Sequence, residues 1–341
     1  MKRTQRRLAY RLMVVLVLLC LFAGVACPRA VAAADEASLE WHKTDGTVAL
    51  RRGAETRWQF NFGPNLPKPF FDPVALPGTG SLTSNSPPDH PWHHALWFSW
   101  KTINGLNYWE ENRKTGKSEG QTVWQNVNVE TRPDHSARIS LDFQYHPPGK
   151  EPVLTERRVI EVSAPDESGA YHMDWTATFT ATSEKVVLDR TPLGNQPGGK
   201  PWGGYAGLSI RFAEAMTDWR AVDSDGQIDE EQEPTERTRI KARAVDFSGR
   251  LDGAEVGIAI LDYPDNPNAP SPWYIIMSKG GPMRYLNASV IHDGPHTIPA
   301  RGSFTLRYRV WIHPGRFDAE QLRQAYTRFV EESKTPGHGG E

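Results

Sequence analysis

Three stretches of this chain alternate apolar and polar residues with a period of two, and that period decides the fold class. Ala137, Ile139, Leu141, Phe143 and Tyr145 alternate with Arg138, Ser140, Asp142 and Gln144. Tyr171, Met173, Trp175, Ala177, Phe179 and Ala181 alternate with His172, Asp174, Thr176, Thr178 and Thr180. Phe304, Leu306, Tyr308, Val310 and Ile312 alternate with Thr305, Arg307, Arg309, Trp311 and His313. A strand turns successive side chains to opposite faces, so each stretch predicts one buried and one polar face, as an antiparallel sheet requires. Further strands are predicted at 47–52, 56–62, 94–100, 121–130, 152–163, 184–189, 205–213, 242–248, 255–262, 273–278 and 283–288. Clusters of Gly, Pro, Asp and Asn separate them. One helix is predicted, from Asp318 with Gln321 in capping-box spacing to about Glu331, with Leu322, Ala325, Tyr326 and Phe329 as its apolar stripe. The expectation is an all-β fold: a large, mostly antiparallel β-sandwich in one domain, residues 35–332, with one C-terminal helix. Residues 333–341 read as a disordered polar tail. The nearest analogy is the supersandwich of galactose mutarotase-like and polysaccharide-processing enzymes, an analogy of fold only.

The first residues read as an address. Lys2, Arg3, Arg6, Arg7 and Arg11 precede an apolar run, Leu12 to Ala26, that is short for a spanning helix, and small residues follow at 30–34. A signal peptide over 1–34 is therefore expected, with a periplasmic or extracellular mature protein and no stable membrane insertion once the leader is cut. The pair Arg6-Arg7 leaves Sec and twin-arginine export both open. Residues 1–34 hold six basic residues and no acid, so the mature chain has 33 basic against 41 acidic residues. Its net charge shifts from −2 to −8. That disfavours a nucleic-acid partner, which needs a basic face for phosphates. Both cysteines, Cys20 and Cys27, lie in the leader, so no disulfide and no thiolate nucleophile is expected in the domain.

There is no G-x-S-x-G, P-loop, dinucleotide-binding glycine pattern or H-E-x-x-H. The informative segment is Ser86 to Glu111, SPPDHPWHHALWFSWKTINGLNYWEE. It packs Asp89, His90, His93 and His94 into six residues, beside Trp92, Trp97, Trp100, Tyr108 and Trp109. Pro87, Pro88 and Pro91 predict a rigid, extended loop. In strand geometry His93 and His94 point to opposite faces, so His90 is expected to converge with only one of them. Three readings compete. A histidine oriented by Asp89 works as general acid–base. His90 and a neighbour bind a divalent metal with Glu110 or Asp89. Or the histidines merely fix a Pro-rich turn. The aromatics either fill a core or stack on sugar rings. Tyr205 and Arg211, in the glycine-rich run 203–212, and Trp273, after the Pro/Asx loop 262–272, are further candidate ligand contacts. Asp262, Asp265 and Asn268 offer oxygen ligands for calcium, though their spacing fits no calcium loop. The charged run Asp223 to Arg239 reads as a solvated loop or hairpin tip.

The runs SPPDHPWHHALWF, NGLNYWEE, GGYAGLSIRF, GIAILDYPDNPNAPSPWY and LRYRVWIHPGRFDAEQL, spread over about residues 40 to 330, resemble exported bacterial proteins named the PmoA family, or methane oxygenase PmoA. The resemblance implies a single β-rich domain of otherwise unknown function and carries no catalytic residue with it. The methane monooxygenase subunit of that name is multi-spanning, and no apolar run after Ala34 approaches the roughly 18–20 residues of a spanning helix.

The leading expectation is a carbohydrate-active protein, a hydrolase, lyase or epimerase acting on a saccharide or polysaccharide. His90, His93, His94 and Asp89 are its catalytic candidates. Trp92, Trp97, Tyr108, Trp109, Tyr205, Arg211 and Trp273 are its binding candidates. The alternatives are a non-catalytic glycan-binding or scaffold module and a metal-dependent oxygenase. No cofactor is specified, and a metal stays open.

Overall fold

The computed structural model describes residues 38–228, 237–278 and 281–334. The leader, the acidic centre of the 223–239 run and the tail from 335 onward lie outside the described residues. Two large antiparallel sheets carry the fold. The nine-stranded sheet runs, in spatial order, Leu39–Thr44, Thr47–Arg52, Glu55–Asn61, Phe70–Val74, Leu96–Ser99, Gly207–Arg211, Arg284–Ala288, Pro272–Met277, Arg237–Lys241. The eight-stranded sheet runs Thr217–Asp223, Ala244–Leu251, Ala254–Asp262, Ser303–Pro314, Tyr171–Ala181, Leu154–Val162, Ala137–His146, Gln121–Thr131. A small sheet joins His296–Ile298, Val186–Asp189, Thr102–Ile103 and Leu106–Asn107. The chain is an all-β antiparallel sandwich.

The three alternating stretches supply the eight-stranded sheet's inner face, where Ile139, Leu141, Trp175, Ala177, Leu306 and Tyr308 are buried. The nine-stranded sheet answers with Leu50, Trp58, Phe71, Phe98, Leu208 and Ile275. Phe98 stacks on Phe179 with centroids 5.4 Å apart, and Phe212 on Phe247 at 4.2 Å. Each large apolar side chain so buried contributes about 1.5–3 kcal/mol. One charge pair enters this core. Arg158 donates to both Glu156 oxygens, Tyr145 donates to the same carboxylate, and the Arg158 guanidinium lies 4.1 Å from the Phe143 ring centre and 5.1 Å from that of Trp175.

The helix Ala319–Glu332 forms with its capping box in place: Asp318 Oδ1 accepts from Gln321 N at 2.8 Å, and Gln321 Oε1 accepts from Asp318 N at 3.0 Å. Leu322, Ala325 and Phe329 seal it against Ala259, Leu261 and Tyr263 on the outside of the eight-stranded sheet.

Two expectations are corrected. The charged run is no simple solvated tip at its ends. Asp223 is fully buried and accepts the N–H groups of Asp225, Gln227 and Ile228, and Arg237–Lys241 is an edge strand paired with Pro272–Met277. The Pro-rich loop is not extended. His90 N donates to Pro87 O at 3.0 Å and His93 N to His90 O at 2.9 Å, so the loop is two consecutive tight turns, closed by the Asn85–His94 bridge. Pro88 and Pro91 occupy the second position of each turn, where their fixed φ is favourable.

Candidate functional site

The site lies on the face of the nine-stranded sheet that turns away from the sandwich core. Register sets its rows. Phe70, Trp97, Ser209, Asn287, Tyr274 and Arg239 face one another across six strands, and Arg211, Tyr285, Ile276 and Arg237 form the next row. Loops cover this face, so Phe70, Trp97, Trp109, Tyr274, Ile276 and Tyr285 form a second apolar cluster, separate from the inter-sheet core.

The two turns of the 85–94 loop place His90 and His93 three residues apart on one side, with ring centroids 4.7 Å apart. His93 is sandwiched further against Tyr285 at 5.1 Å and Trp97 at 5.2 Å. Burial above all, reinforced by the neighbouring His90 and Arg211, holds its pKa well below the ordinary histidine range. It is therefore a neutral ring, and its buried Nδ1 has no hydrogen-bond partner among the described residues. His94 turns away. Its Nδ1 meets Asn85 Oδ1 at 3.1 Å and its Nε2 meets Glu111 Oε2 at 3.2 Å, while Lys68 pairs with the other Glu111 oxygen. That buried triad ties the 107–112 segment to the strand region at Lys68. His94 thus has a structural place and does not line the pocket.

His90 Nδ1 lies 2.9 Å from Asp89 Oδ2. A carboxylate only accepts, so the neutral imidazole carries its proton on Nδ1 and leaves the Nε2 lone pair for a ligand. Asp89 in turn accepts from Arg211 Nη2 at 2.8 and 2.9 Å. Partial burial works against ionisation of Asp89, but the hydrogen bonds from His90 and Arg211 outweigh it and hold its pKa below the usual carboxylate range. Arg211 is 1% exposed, fixed on its strand and also bonded to Pro282 O at 3.2 Å. The expected glycine-rich run therefore contributes a buried support and not a ligand contact at Arg211.

Asn107 shapes the segment that carries Trp109 and Glu110 to the pocket. Its Oδ1 accepts from Trp109 N at 2.8 Å and Glu110 N at 3.2 Å, a local turn that presents both side chains. Tyr205 Oη donates to Glu110 Oε1 at 2.8 Å, and Lys101 pairs with Oε2. Burial first, then the Glu110 charge, pushes the Tyr205 hydroxyl far above its ordinary pKa, so it stays a donor. Gly203 and Gly204 bring this loop in: a Cβ at Gly203 would sit 2.1 Å from Pro192 O, and Gly204 has φ +104°.

The pocket so enclosed measures about 280 Å³. It is lined by His90, Trp92, His93, Trp109, Glu110, Trp202, Tyr205, Arg237, Tyr274, Ile276, Met283 and Tyr285. Of the binding candidates, Trp92, Trp109 and Tyr205 border it. Trp97 lies fully buried beneath His93 as its floor. Tyr108 and Trp273 belong to the inter-sheet core, where Trp273 Nε1 donates to Ala242 O at 2.7 Å, so neither ring reaches a ligand. Trp202, Tyr274, Met283 and Tyr285 escaped sequence reading. The available signal was that both parities of 273–277 are apolar, which marks a strand covered on two faces.

The Asp262 loop gathers no ligands. Asp262 Oδ1 accepts from Asn266 Nδ2 at 2.7 Å and Oδ2 from Ser271 N at 2.8 Å, while Asn268 donates its amide to Val290 O. Among the described residues no group of three or more His, Cys, Asp or Glu side chains is arranged to hold a metal ion.

Solved structures with some similarity include an alpha-galactosidase from Lactobacillus brevis, at 10% identity and TM-score 0.47, covering 86% of this chain and 42% of that one. The galactosidase domain of an alpha-galactosidase–sucrose kinase follows at 9% identity and TM-score 0.46, covering 82% and 42%. A protein assigned as an aldose 1-epimerase from Klebsiella pneumoniae subsp. pneumoniae matches at 8% identity and TM-score 0.38, covering 86% and 83%. The chain thus spans about two fifths of the length of the two galactosidase structures. No curated protein matches it. The family model of DUF6807 matches residues 47–327, and the chain therefore belongs to DUF6807, a family of unknown function.

Proposed function

We propose that the pocket binds a saccharide ring and that His90 serves there as the acid–base group. The observation that carries this reading is the meeting of six aromatic rings, from Trp92, Trp109, Trp202, Tyr205, Tyr274 and Tyr285, around the His90 imidazole, whose Nδ1 is held by Asp89. Aromatic planes suit the C–H faces of sugars, and a cavity near the lower end of the usual range of about 300–1,000 Å³ suits one or two rings. His90 Nε2 takes a proton from a sugar hydroxyl or ring carbon, or returns one to a leaving oxygen. Asp89 steadies the imidazolium so formed, and Arg211 keeps Asp89 ionised. A hydrolase, lyase or epimerase step fits that role.

A specific observation favours the non-catalytic glycan-binding reading as the second choice. Both Glu110 oxygens are already engaged, by Tyr205 and Lys101, which leaves His90 Nε2 as the principal open proton-transfer atom. The purified chain and its His90→Ala variant, screened against a panel of glycosides and polysaccharides for products and thermal shift, separate the two. Turnover that the variant loses supports the enzyme. Binding without turnover supports the module, and no binding at all sinks both.

Export belongs to the same proposal, since the basic and apolar leader motivates it. N-terminal sequencing of the protein from its own cells should begin near Asp35; a retained Met1 or an acylated Cys27 would reject a freely released mature chain.

A further inference from the structure

We infer that the pocket selects an anionic saccharide, one bearing a carboxylate or a sulfate ester; this rests on the saccharide reading above and names its substrate class. The charges around the pocket point to this class. Glu110, which lines the pocket, is matched by Lys101, and Asp89 beside His90 is matched by Arg211. Three further cations stand over pocket-lining rings with no carboxylate partner among the described residues. The Arg113 guanidinium lies 5.4 Å from the Trp92 ring centre, Lys200 Nζ lies 6.0 Å from that of Trp202, and the Arg239 guanidinium lies 5.0 Å from that of Tyr274. Arg113 donates only to the carbonyls of Pro88 and Asp89, at 3.3 and 3.2 Å, and Arg239 only to those of Pro201 and Gly203, at 2.7 and 3.2 Å. Carbonyls fix a guanidinium without cancelling its charge.

Arg237 also lines the pocket. The chain without its leader is acidic overall, so three positive charges held beside pocket-lining rings depart from the surface as a whole. Neutral sugars need stacking and hydroxyl contacts alone. Cations beside the rings of an aromatic pocket add attraction for a charged sugar and raise its local concentration.

The test is calorimetric titration of the purified chain with trigalacturonate, a sulfated trisaccharide and galactotriose, each at low and high salt, with sodium sulfate as a competitor. The expected result is that at least one anionic trisaccharide binds about tenfold or more tighter than galactotriose at low salt, and that the advantage shrinks as salt rises. Lys200→Gln, whose side chain makes no hydrogen bond among the described residues, should cut the advantage several-fold at unchanged melting temperature. Arg239→Lys, which keeps the charge, should preserve most of it. Which anionic probe wins tells carboxylate from sulfate. Galactotriose binding as tightly as both anionic sugars would overturn the inference and leave the saccharide reading intact. Sodium sulfate displacing the sugars at equal concentration would overturn it as a simple anion site. No binding of any of the three trisaccharides would overturn both.

Discussion

Along Tyr171–Ala181 every second residue is buried, whereas along Pro272–Met277 all six are. The first strand lies in the eight-stranded sheet, with Thr176 and Thr178 towards water opposite Trp175 and Ala177. The second lies in the nine-stranded sheet, where loops cover the outer face. A strand wet on one face offers one dry row, filled mostly by packing residues, with the Glu156–Arg158 pair as the charged exception. A strand covered on both faces can hold polar groups there too, provided each is hydrogen-bonded. Asn287, fully buried, donates to Ala206 O and Leu208 O; Arg211 supports Asp89. The second cover is thus what makes a pre-positioned site possible on this sheet.

Two buried arginines put the comparison to its hardest test. Arg158 in the eight-stranded sheet serves the core, while Arg211 in the nine-stranded sheet serves His90. Arg158→Met should cost about 3–5 kcal/mol in denaturant unfolding, because it strands the Glu156 charge, and Glu156→Leu with Arg158→Met should recover most of that. Arg211→Met should cost less, since Asp89 is partly exposed, but should abolish ligand response. A small loss for Arg158→Met, or intact binding in Arg211→Met, would erase the distinction between the sheets.

The two neighbouring histidines should separate next. His94→Ala removes the link between Asn85 and Glu111 and should lower stability by about 1–3 kcal/mol. His90→Ala should stay within about 1 kcal/mol of the parent yet lower any turnover on the order of a hundredfold. Equal losses of stability in both variants would make His90 a turn support.

A smaller effect concerns acid. His93 cannot take up a proton in the folded chain at the pH where the unfolded chain does, because burial lowers its pKa. The unfolded state therefore gains protons first as pH falls below about 6.5, and stability should decline from there downward. Burial pushes Asp262 the other way, up to about 6, so it offsets part of the loss below that pH. Comparing His93→Phe with the parent cancels the Asp262 contribution. The variant should show a flatter decline, and an unchanged slope would assign the acid sensitivity elsewhere.

The smallest effect should come from the wet face. Thr178 and Thr305 form a cross-strand pair with their hydroxyls 2.8 Å apart. Thr178→Val should change stability by less than about 1 kcal/mol and leave the pocket untouched. A larger loss would mean that this face is covered in the working protein.

Much of the eight-stranded sheet was legible because alternation reports one buried face. The strands Leu39–Thr44 and Arg237–Lys241 were not: both lie at the edges of the nine-stranded sheet and carry mostly polar side chains. Trp273 and Tyr108 were misread as ligand contacts because, on elements buried all round, composition does not say which aromatic faces which side. His94 was grouped with His90 and His93 by proximity along the chain, and backbone direction separates it from them.

By itself the sequence determined the sandwich, the capped helix and the closeness of Asp89 to His90, since each depends on residues within a few positions of one another or on a repeat of two. Only the tertiary structure decided the pocket. Tyr205, Tyr274 and Tyr285 reach the 85–111 loop through the order and register of Leu96–Ser99, Gly207–Arg211, Arg284–Ala288 and Pro272–Met277. Strand order across a sheet is set by the packing of whole faces, and no local run of residues encodes it.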